Sequence, residues 1–166
     1  MAALPASIRF WSTPGKIREM RILTCVLLLG VAAMWAETPD EREAVGVVQK
    51  LFDGMAAKSG DAIRATMMAD ARLYAVRQDG AATATSVDDF AKRITGIQGD
   101  VLEKFIGSPK VLARGRMVQV WGEYEFVRGG KFDHCGIDSV SLFKTAEGWK
   151  IASIAFTSET TGCKGH

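Results

Sequence analysis

The hydrophobic positions that follow residue 38 recur with the period of a helix. Thr38, Pro39 and Glu41 form a capping box with proline at the first helical position, which is a strong helix start. Ser59 and Gly60 end the segment. Its apolar positions, three or four residues apart, are Ala44, Val48, Leu51, Phe52 and Met55. The pattern predicts one amphipathic helix between these two signals.

Shorter elements follow this helix. Residues 61–68 carry apolar side chains on one side and predict a second, short helix. Residues 72–78 alternate like a strand and end at the turn pair Asp79-Gly80. Ser86, with Asp89 three residues later, offers a second capping arrangement, so a third helix is expected from there to Gly96.

From residue 101 onwards the pattern is that of strands alone. A first strand, 101–112, is bent at Gly107-Ser108-Pro109, and 117–127, 132–144 and 149–158 follow it. Glycine-containing turns separate these segments. Helices first and a meander of long strands last predict an α+β domain with a curved antiparallel sheet.

The faces of the last strands follow from their register. Placing apolar residues opposite apolar residues pairs Val120 with Val140 and Gly122 with Asp138. A three-residue loop at Gly129-Gly130 would give this register. A four-residue turn before Trp149 would pair Val140 with Ser153 and Asp138 with Ala155.

Asp138 then shares the inner face with Leu142, Val140, Ile151 and Trp149, opposite a glycine without a side chain. An acid among apolar groups beside missing volume is typical of a ligand pocket, and burial would raise the pKa of Asp138. The alternative is an aspartate that caps a helix end or bonds to a serine, with a structural role only.

The opposite face is also apolar in this register. It would carry Met117, Trp121, Phe143, Ile154 and Phe156, with serines between them. A patch of this size on a sheet face favours a partner, and a homodimer through Trp121, Phe143, Ile154 and Phe156 is expected. The alternative is a register that is wrong by one residue.

The first 36 residues predict a targeting segment. An apolar run, Ile22 to Met34, follows Arg21 and is shorter than the ~20 residues of a membrane-spanning helix. We interpret 1–36 as an over-extended start plus a signal peptide at about 20–36, cleaved after Ala36 or Ala33, with one domain at 37–166. The protein is then secreted or periplasmic. The alternative is an uncleaved anchor or a buried helix.

Charge and cysteine content narrow the function. Of 21 basic and 19 acidic residues, four and one lie in the first 36 positions, so the remainder carries 17 and 18 and a net charge of −1. This balance gives no electrostatic footprint for nucleic acid. In an oxidising compartment Cys135 and Cys163 either form a disulfide or remain separate thiols.

Three segments resemble a known superfamily: Trp121-Gly122-Glu123-Tyr124-Glu125-Phe126, the run from Gly130 to Asp138 that contains His134-Cys135-Gly136, and Gly148-Trp149-Lys150-Ile151. From about Asp40 to Cys163 the chain resembles the nuclear transport factor 2-like (NTF2-like) superfamily, above all bacterial members labelled SnoaL-like or lumazine-binding. The resemblance implies a cone-shaped α+β barrel, a pocket between helices and sheet, and dimers packed sheet to sheet. That superfamily includes steroid isomerases, polyketide cyclases, dehydratases and binding modules, so fold alone does not assign a reaction.

The candidate site residues support two main interpretations. The first is a binding or accessory module for a small apolar or aromatic molecule, with Trp149, Gly122, Tyr74, His134, Val140 and Ser153 as candidate contacts. The second is an isomerase, cyclase or dehydratase in which Asp138 is the base and Tyr124 the proton donor. A protein-interaction module is a third. The only histidines are His134 and His166, so no metal-ligand spacing exists, and no motif indicates a cofactor.

Overall fold

A computed structural model describes residues 38–164 of the chain. The predicted targeting segment and its cleavage sites lie outside these residues, and export stays a prediction. The helices are α1 (Pro39–Ala56), α2 (Gly60–Thr66) and α3 (Val87–Gly96). The strands are β1 (Met67–Arg77), β2 (Ala82–Ser86), β3 (Val101–Phe105), β4 (Lys110–Arg114), β5 (Met117–Arg128), β6 (Lys131–Thr145) and β7 (Gly148–Ser158).

The starts of α1 and α3 are those that the sequence predicts, whereas α2 begins one residue earlier than predicted, with Ser59 as its N-cap rather than only as the end of the preceding segment. The Thr38 hydroxyl accepts a hydrogen bond from the Glu41 amide at 3.2 Å, and the Glu41 carboxylate accepts one from the Thr38 amide at 2.6 Å. Ser59 and Ser86 cap α2 and α3 in the same manner. Each cap satisfies amides that have no partner inside the helix. The apolar side of α1 is buried against the sheet, which confirms the amphipathic pattern.

The seven strands form one curved sheet in the order β2-β1-β7-β6-β5-β3, with β4 also paired to β5. The α+β fold is therefore confirmed. The expectation of an entirely antiparallel sheet is wrong in one place, because β1 and β7 run parallel. These two strands are far apart along the chain, so no hairpin fixes their relative direction. The short edge strand β2 is not predicted by the sequence; its Ala and Thr side chains bury little surface and leave no apolar alternation.

The predicted register between β5 and β6 is confirmed: Val120 lies opposite Val140 and Gly122 opposite Asp138. The turn that precedes it is shorter than expected. Arg128 pairs directly with Lys131 across two glycines with positive φ, and an extra residue, Asp133, then bulges out of β6. The bulge shifts the pairing by one residue and restores the register that three loop residues would have given.

The predicted register between β6 and β7 holds only near the turn. Leu142 pairs with Ile151 as expected, but Ser141 pairs with Ser153, so Ala152 is an extra residue in β7. Beyond this bulge Val140 faces Ile154 rather than Ser153, and Asp138 faces Phe156 rather than Ala155. A one-residue shift moves every following side chain to the other face.

Because of the Ala152 bulge, part of the predicted outer face of the sheet is wrong. Ile154 is buried and Phe156 packs against the core, so neither belongs to the exposed patch. The apolar side chains that remain exposed around the outer side of β4, β5 and β6 are Leu112, Met117, Trp121 and Phe143. A homodimer through this reduced patch stays a prediction. Between residues 38 and 164 no helix has the length and apolar character needed to cross a membrane.

Candidate functional site

A cavity of about 300 Å³ lies between α1, α3 and the inner face of the sheet. Its walls are mostly apolar: Leu51 and Met55 come from α1, Phe90 and Ile94 from α3, and Ile154 from β7. Six of the seven strands, all but β4, contribute residues to its lining, because the sheet curves towards the helices. The cavity is therefore built from the same hydrophobic surfaces that form the core.

Two carboxyl groups meet in this apolar setting. Asp138, on β6, is only 3% exposed, and Glu103, on β3, is partly buried. Both line the cavity, and their side chains are hydrogen-bonded to each other. Their strands pair with opposite edges of β5.

Burial raises the pKa of both acids, because removal from water disfavours the charged form. The pKa of Asp138 rises from 3.8 to about 7, and the hydrogen bond with Glu103 opposes part of this rise. The pKa of Glu103 is raised well above 4.5, first by burial and then by the neighbouring negative charge of Asp138. The pair therefore retains a proton at neutral pH. Glu103 holds this proton more strongly than Asp138 does, and Asp138 accepts the hydrogen bond from it.

Tyr124 shares the inner face with Asp138 but its hydroxyl is already engaged. The side chain is 1% exposed, and its hydroxyl donates to the backbone oxygen of Thr157 at 2.7 Å. Burial, followed by the charges of Glu103 and Asp138, raises the pKa of Tyr124. The tyrosine thus lines the cavity with its ring while its proton points to the backbone.

A polar cluster lies near the outer end of the cavity. Asp133, the residue of the β6 bulge, accepts from the Arg128 guanidinium at 2.6 Å and contacts the His134 ring nitrogen Nδ1 at 2.8 Å. The His134 ring stacks on Phe126 with centroids 4.9 Å apart. All four residues line the cavity. The bulge brings Asp133 to the same opening as its neighbour His134, although adjacent strand residues ordinarily face opposite ways.

The other predicted contacts do not line the cavity. Tyr74 is exposed on the outer face, and Ser153 moves to that face through the Ala152 bulge. Val140 and Trp149 are buried in the core outside the cavity lining. The expected room at Gly122 is also taken, because a Cβ there would come within 2.9 Å of the Phe105 ring.

The two cysteines of the described chain form a disulfide. Cys135, on β6, is bonded to Cys163, which follows β7. The bond ties the C-terminal segment to the sheet beside the bridge between Cys135 and Glu159. A cysteine in this state has no thiolate to act as a nucleophile.

Glu103 is the site residue that the sequence interpretation missed. Its signal is the alternation of Val101, Glu103 and Phe105, which places all three on one face of β3. The adjacent apolar Leu102 and Ile106 obscured that alternation. Within residues 38–164 no group of three or more His, Cys, Asp or Glu side chains is placed to hold a metal ion.

The sequence matches no protein-family model and no curated protein. Solved structures do resemble it. A protein of unknown function with a cystatin-like fold from Nostoc punctiforme superposes with a TM-score of 0.61 at 8% identity, covering 77% of this chain and 97% of its own. An NTF2-like protein of unknown function from Shewanella baltica gives 0.58 at 13% identity, covering 74% and 98%.

A third similar structure, from Streptomyces avermitilis, is an NTF2-like protein provisionally described as a dehydratase. It superposes with a TM-score of 0.58 at 12% identity and covers 73% of this chain and 98% of its own. At such identities the likeness concerns the backbone fold and not the reaction. The helices and the curved sheet agree with these structures: the chain has the nuclear transport factor 2-like fold.

Proposed function

We propose that this protein binds a small organic molecule in the cavity between α1, α3 and the sheet, with Glu103 and Asp138 as its polar anchor. The observation that carries the proposal is a hydrogen-bonded carboxyl pair set into an apolar wall. Ligand sites in proteins commonly have volumes of about 300–1,000 Å³, apolar linings and few polar groups that fix orientation. This cavity reaches the lower limit of that volume range and has an apolar wall, and polar or charged side chains make up nearly half of its lining residues.

The pair fits a binding role because it is costly to the fold alone. Two carboxyls withdrawn from water lose hydration, and they recover only part of it through the bond to each other. A ligand hydroxyl can donate to the carboxyl oxygen atoms that the pair leaves without a donor. A protonated Glu103 can donate to such a group, and Asp138 can accept from it.

A neutral aromatic alcohol tests this proposal. We expect 2-naphthalenemethanol to bind the full chain in isothermal titration calorimetry. Ala75→Phe should abolish binding, because Ala75 lines the cavity and a ring there would fill it. Ala84→Phe is the matched control, since Ala84 lies exposed on β2, on the outer side of the sheet. Equal binding by both variants would contradict the proposal, as would a wild type that binds neither this alcohol nor the corresponding carboxylate, 2-naphthoate.

A second candidate function is proton transfer at a carbon next to a carbonyl group. The observation that favours it is the pKa of about 7 for Asp138, since a general base is most effective near the working pH. Asp138 would remove the proton, and once Asp138 is itself protonated the Glu103 proton, which it had accepted, would be donated to the developing enolate oxygen instead. The hydroxyl of Tyr124 is engaged by Thr157, so in this proposal Glu103 takes the donor role that the sequence suggested for the tyrosine.

Exchange of carbon-bound hydrogen in heavy water distinguishes this candidate from binding alone. We expect the protein to accelerate deuterium uptake next to the carbonyl of 1-tetralone, followed by NMR, and Asp138→Asn to remove the acceleration. Tyr124→Phe should retain it. An exchange rate that equals that of buffer, with the alcohol still bound, would leave the binding function and exclude the catalytic one for this class of ketone.

A further inference from the structure

The cavity is lined by exposed cationic side chains, here called its opening, as well as by the buried pair Glu103 and Asp138, here called its floor. Arg77, at the end of β1, and Arg93, on α3, both line it and are largely exposed, whereas Asp138 is buried. Arg128 stands at the same opening. A molecule that enters therefore passes three guanidinium groups before it reaches the carboxyl pair.

Only one of these arginines has an acidic partner among residues 38–164. Arg128 is paired with Asp133, which also holds His134. No ion pair or side-chain hydrogen bond joins Arg77 or Arg93 to any described residue, and Arg93 lies over the ring of Phe90, 5.9 Å from its centroid. The opening thus has an excess of two positive charges.

The floor and the opening of the cavity favour ligand groups of different charge. A negative group would be repelled near Asp138 once that acid ionises, and it would find no cation there to balance it. At the opening, guanidinium groups match the geometry of a carboxylate or a phosphate. The same cavity also has apolar lining residues, among them Met55, Ile94 and Phe126.

We infer that the natural ligand is an amphipathic organic acid, bound with its anionic group between Arg77 and Arg93, its apolar body along α3, and a hydroxyl or carbonyl group at Glu103 and Asp138. This inference rests on the proposed binding function and specifies its ligand class. It follows from the presence of exposed guanidinium groups, apolar side chains and a buried carboxyl pair in the lining of one cavity. A neutral ligand would leave the two arginines without a role in binding.

Two probes with the same ring system test the inference. 2-Naphthoate and 2-naphthalenemethanol differ in charge but present the same apolar body. In calorimetry at neutral pH we expect the full chain to bind the carboxylate about tenfold or more tightly than the alcohol, the range expected for a charge-assisted contact. The advantage should shrink as salt is added, because the opening is exposed to solvent.

Variants then locate the effect. Arg77→Gln and Arg93→Gln should each weaken binding of 2-naphthoate about three- to tenfold, and the double variant more, without changing affinity for the alcohol. Arg114→Gln is the matched control, since Arg114 is exposed on β4 and does not line the cavity. Equal thermal unfolding midpoints would show that the variants are folded.

The outcomes separate the two proposals. If the alcohol binds as tightly as the carboxylate, or if the double variant retains full affinity for the carboxylate, the inference about the acid is overturned and the binding function survives. If neither probe binds, the proposed binding function fails. If both probes lose affinity equally in the arginine variants, the arginines shape the opening rather than hold an anion, which also overturns the inference.

Discussion

Replacing Asp138 with asparagine should stabilise the protein at alkaline pH, which is unusual for a change at a buried polar residue. The folded state holds the pKa of Asp138 at about 7, against an ordinary value of 3.8 that applies in the unfolded chain. A tenfold change in a proton-binding constant corresponds to about 1.4 kcal/mol. Ionised Asp138 therefore lowers the free energy of unfolding by about 4 kcal/mol relative to its neutral form.

The direction follows from proton binding. Between the two pKa values the folded chain keeps the Asp138 proton while the unfolded chain releases it, so the free energy of unfolding falls as the pH rises. Below the unfolded value the stabilisation is fully present, and above about pH 7 it is lost. From about pH 5 to about pH 8 the expected loss from this group is about 3 kcal/mol.

Urea unfolding followed by tryptophan fluorescence measures this loss. Asp138→Asn mimics the neutral acid, so we expect its stability advantage over the wild type to grow by about 3 kcal/mol between about pH 5 and about pH 8 and to reach about 4 kcal/mol at the higher pH. Asp53→Asn, at an exposed carboxyl on α1, is the matched control for the chemical change. If the two unfolding curves of wild type and Asp138→Asn keep the same separation at both pH values, the carboxyl is not buried as described.

Three other changes test the packing and the disulfide. Gly136→Ala should destabilise the fold by at least about 3 kcal/mol in urea unfolding, because its Cβ would lie 2.1 Å from the backbone oxygen of Thr157. Gly46→Ala, which meets nothing within 4 Å, should instead stabilise α1 by about 0.5–1 kcal/mol; a loss of stability there would contradict the open environment. Replacing both Cys135 and Cys163 with serine should cost about 3 to 4 kcal/mol for a loop of 28 residues, and an unchanged urea midpoint would show that the bond does not constrain the chain.

The elements that the sequence predicts well are those with redundant local signals. The start of α1 has a cap, a proline and a reciprocal acid, and each of them favours the same first residue. The register of β5 on β6 is specified by apolar pairs along two long strands, so a slip would expose many side chains at once. These predictions needed no knowledge of distant contacts.

Glu103 could not be assigned to the site on such grounds. Its strand, β3, is only five residues long and one of its exposed positions is the apolar Leu102, so local alternation is weak evidence of burial. What places Glu103 beside Asp138 is the pairing of β3 and β6 on opposite edges of β5. That arrangement depends on sheet order, which hydrophobic periodicity does not specify.

The bulge at Ala152 shows why the inner and outer faces of β7 were assigned incorrectly. Ile151 and Ile154 are both buried, although residues three apart on a regular strand point to opposite faces. Burial of both isoleucines requires one extra residue between them, and the small Ala152 and Ser153 accommodate it. The same extra residue turns Phe156 towards the cavity. The Ala152 bulge therefore places Ile154 and Phe156 in the apolar wall of the cavity. It also removes these two side chains from the outer face, which makes the exposed outer patch smaller.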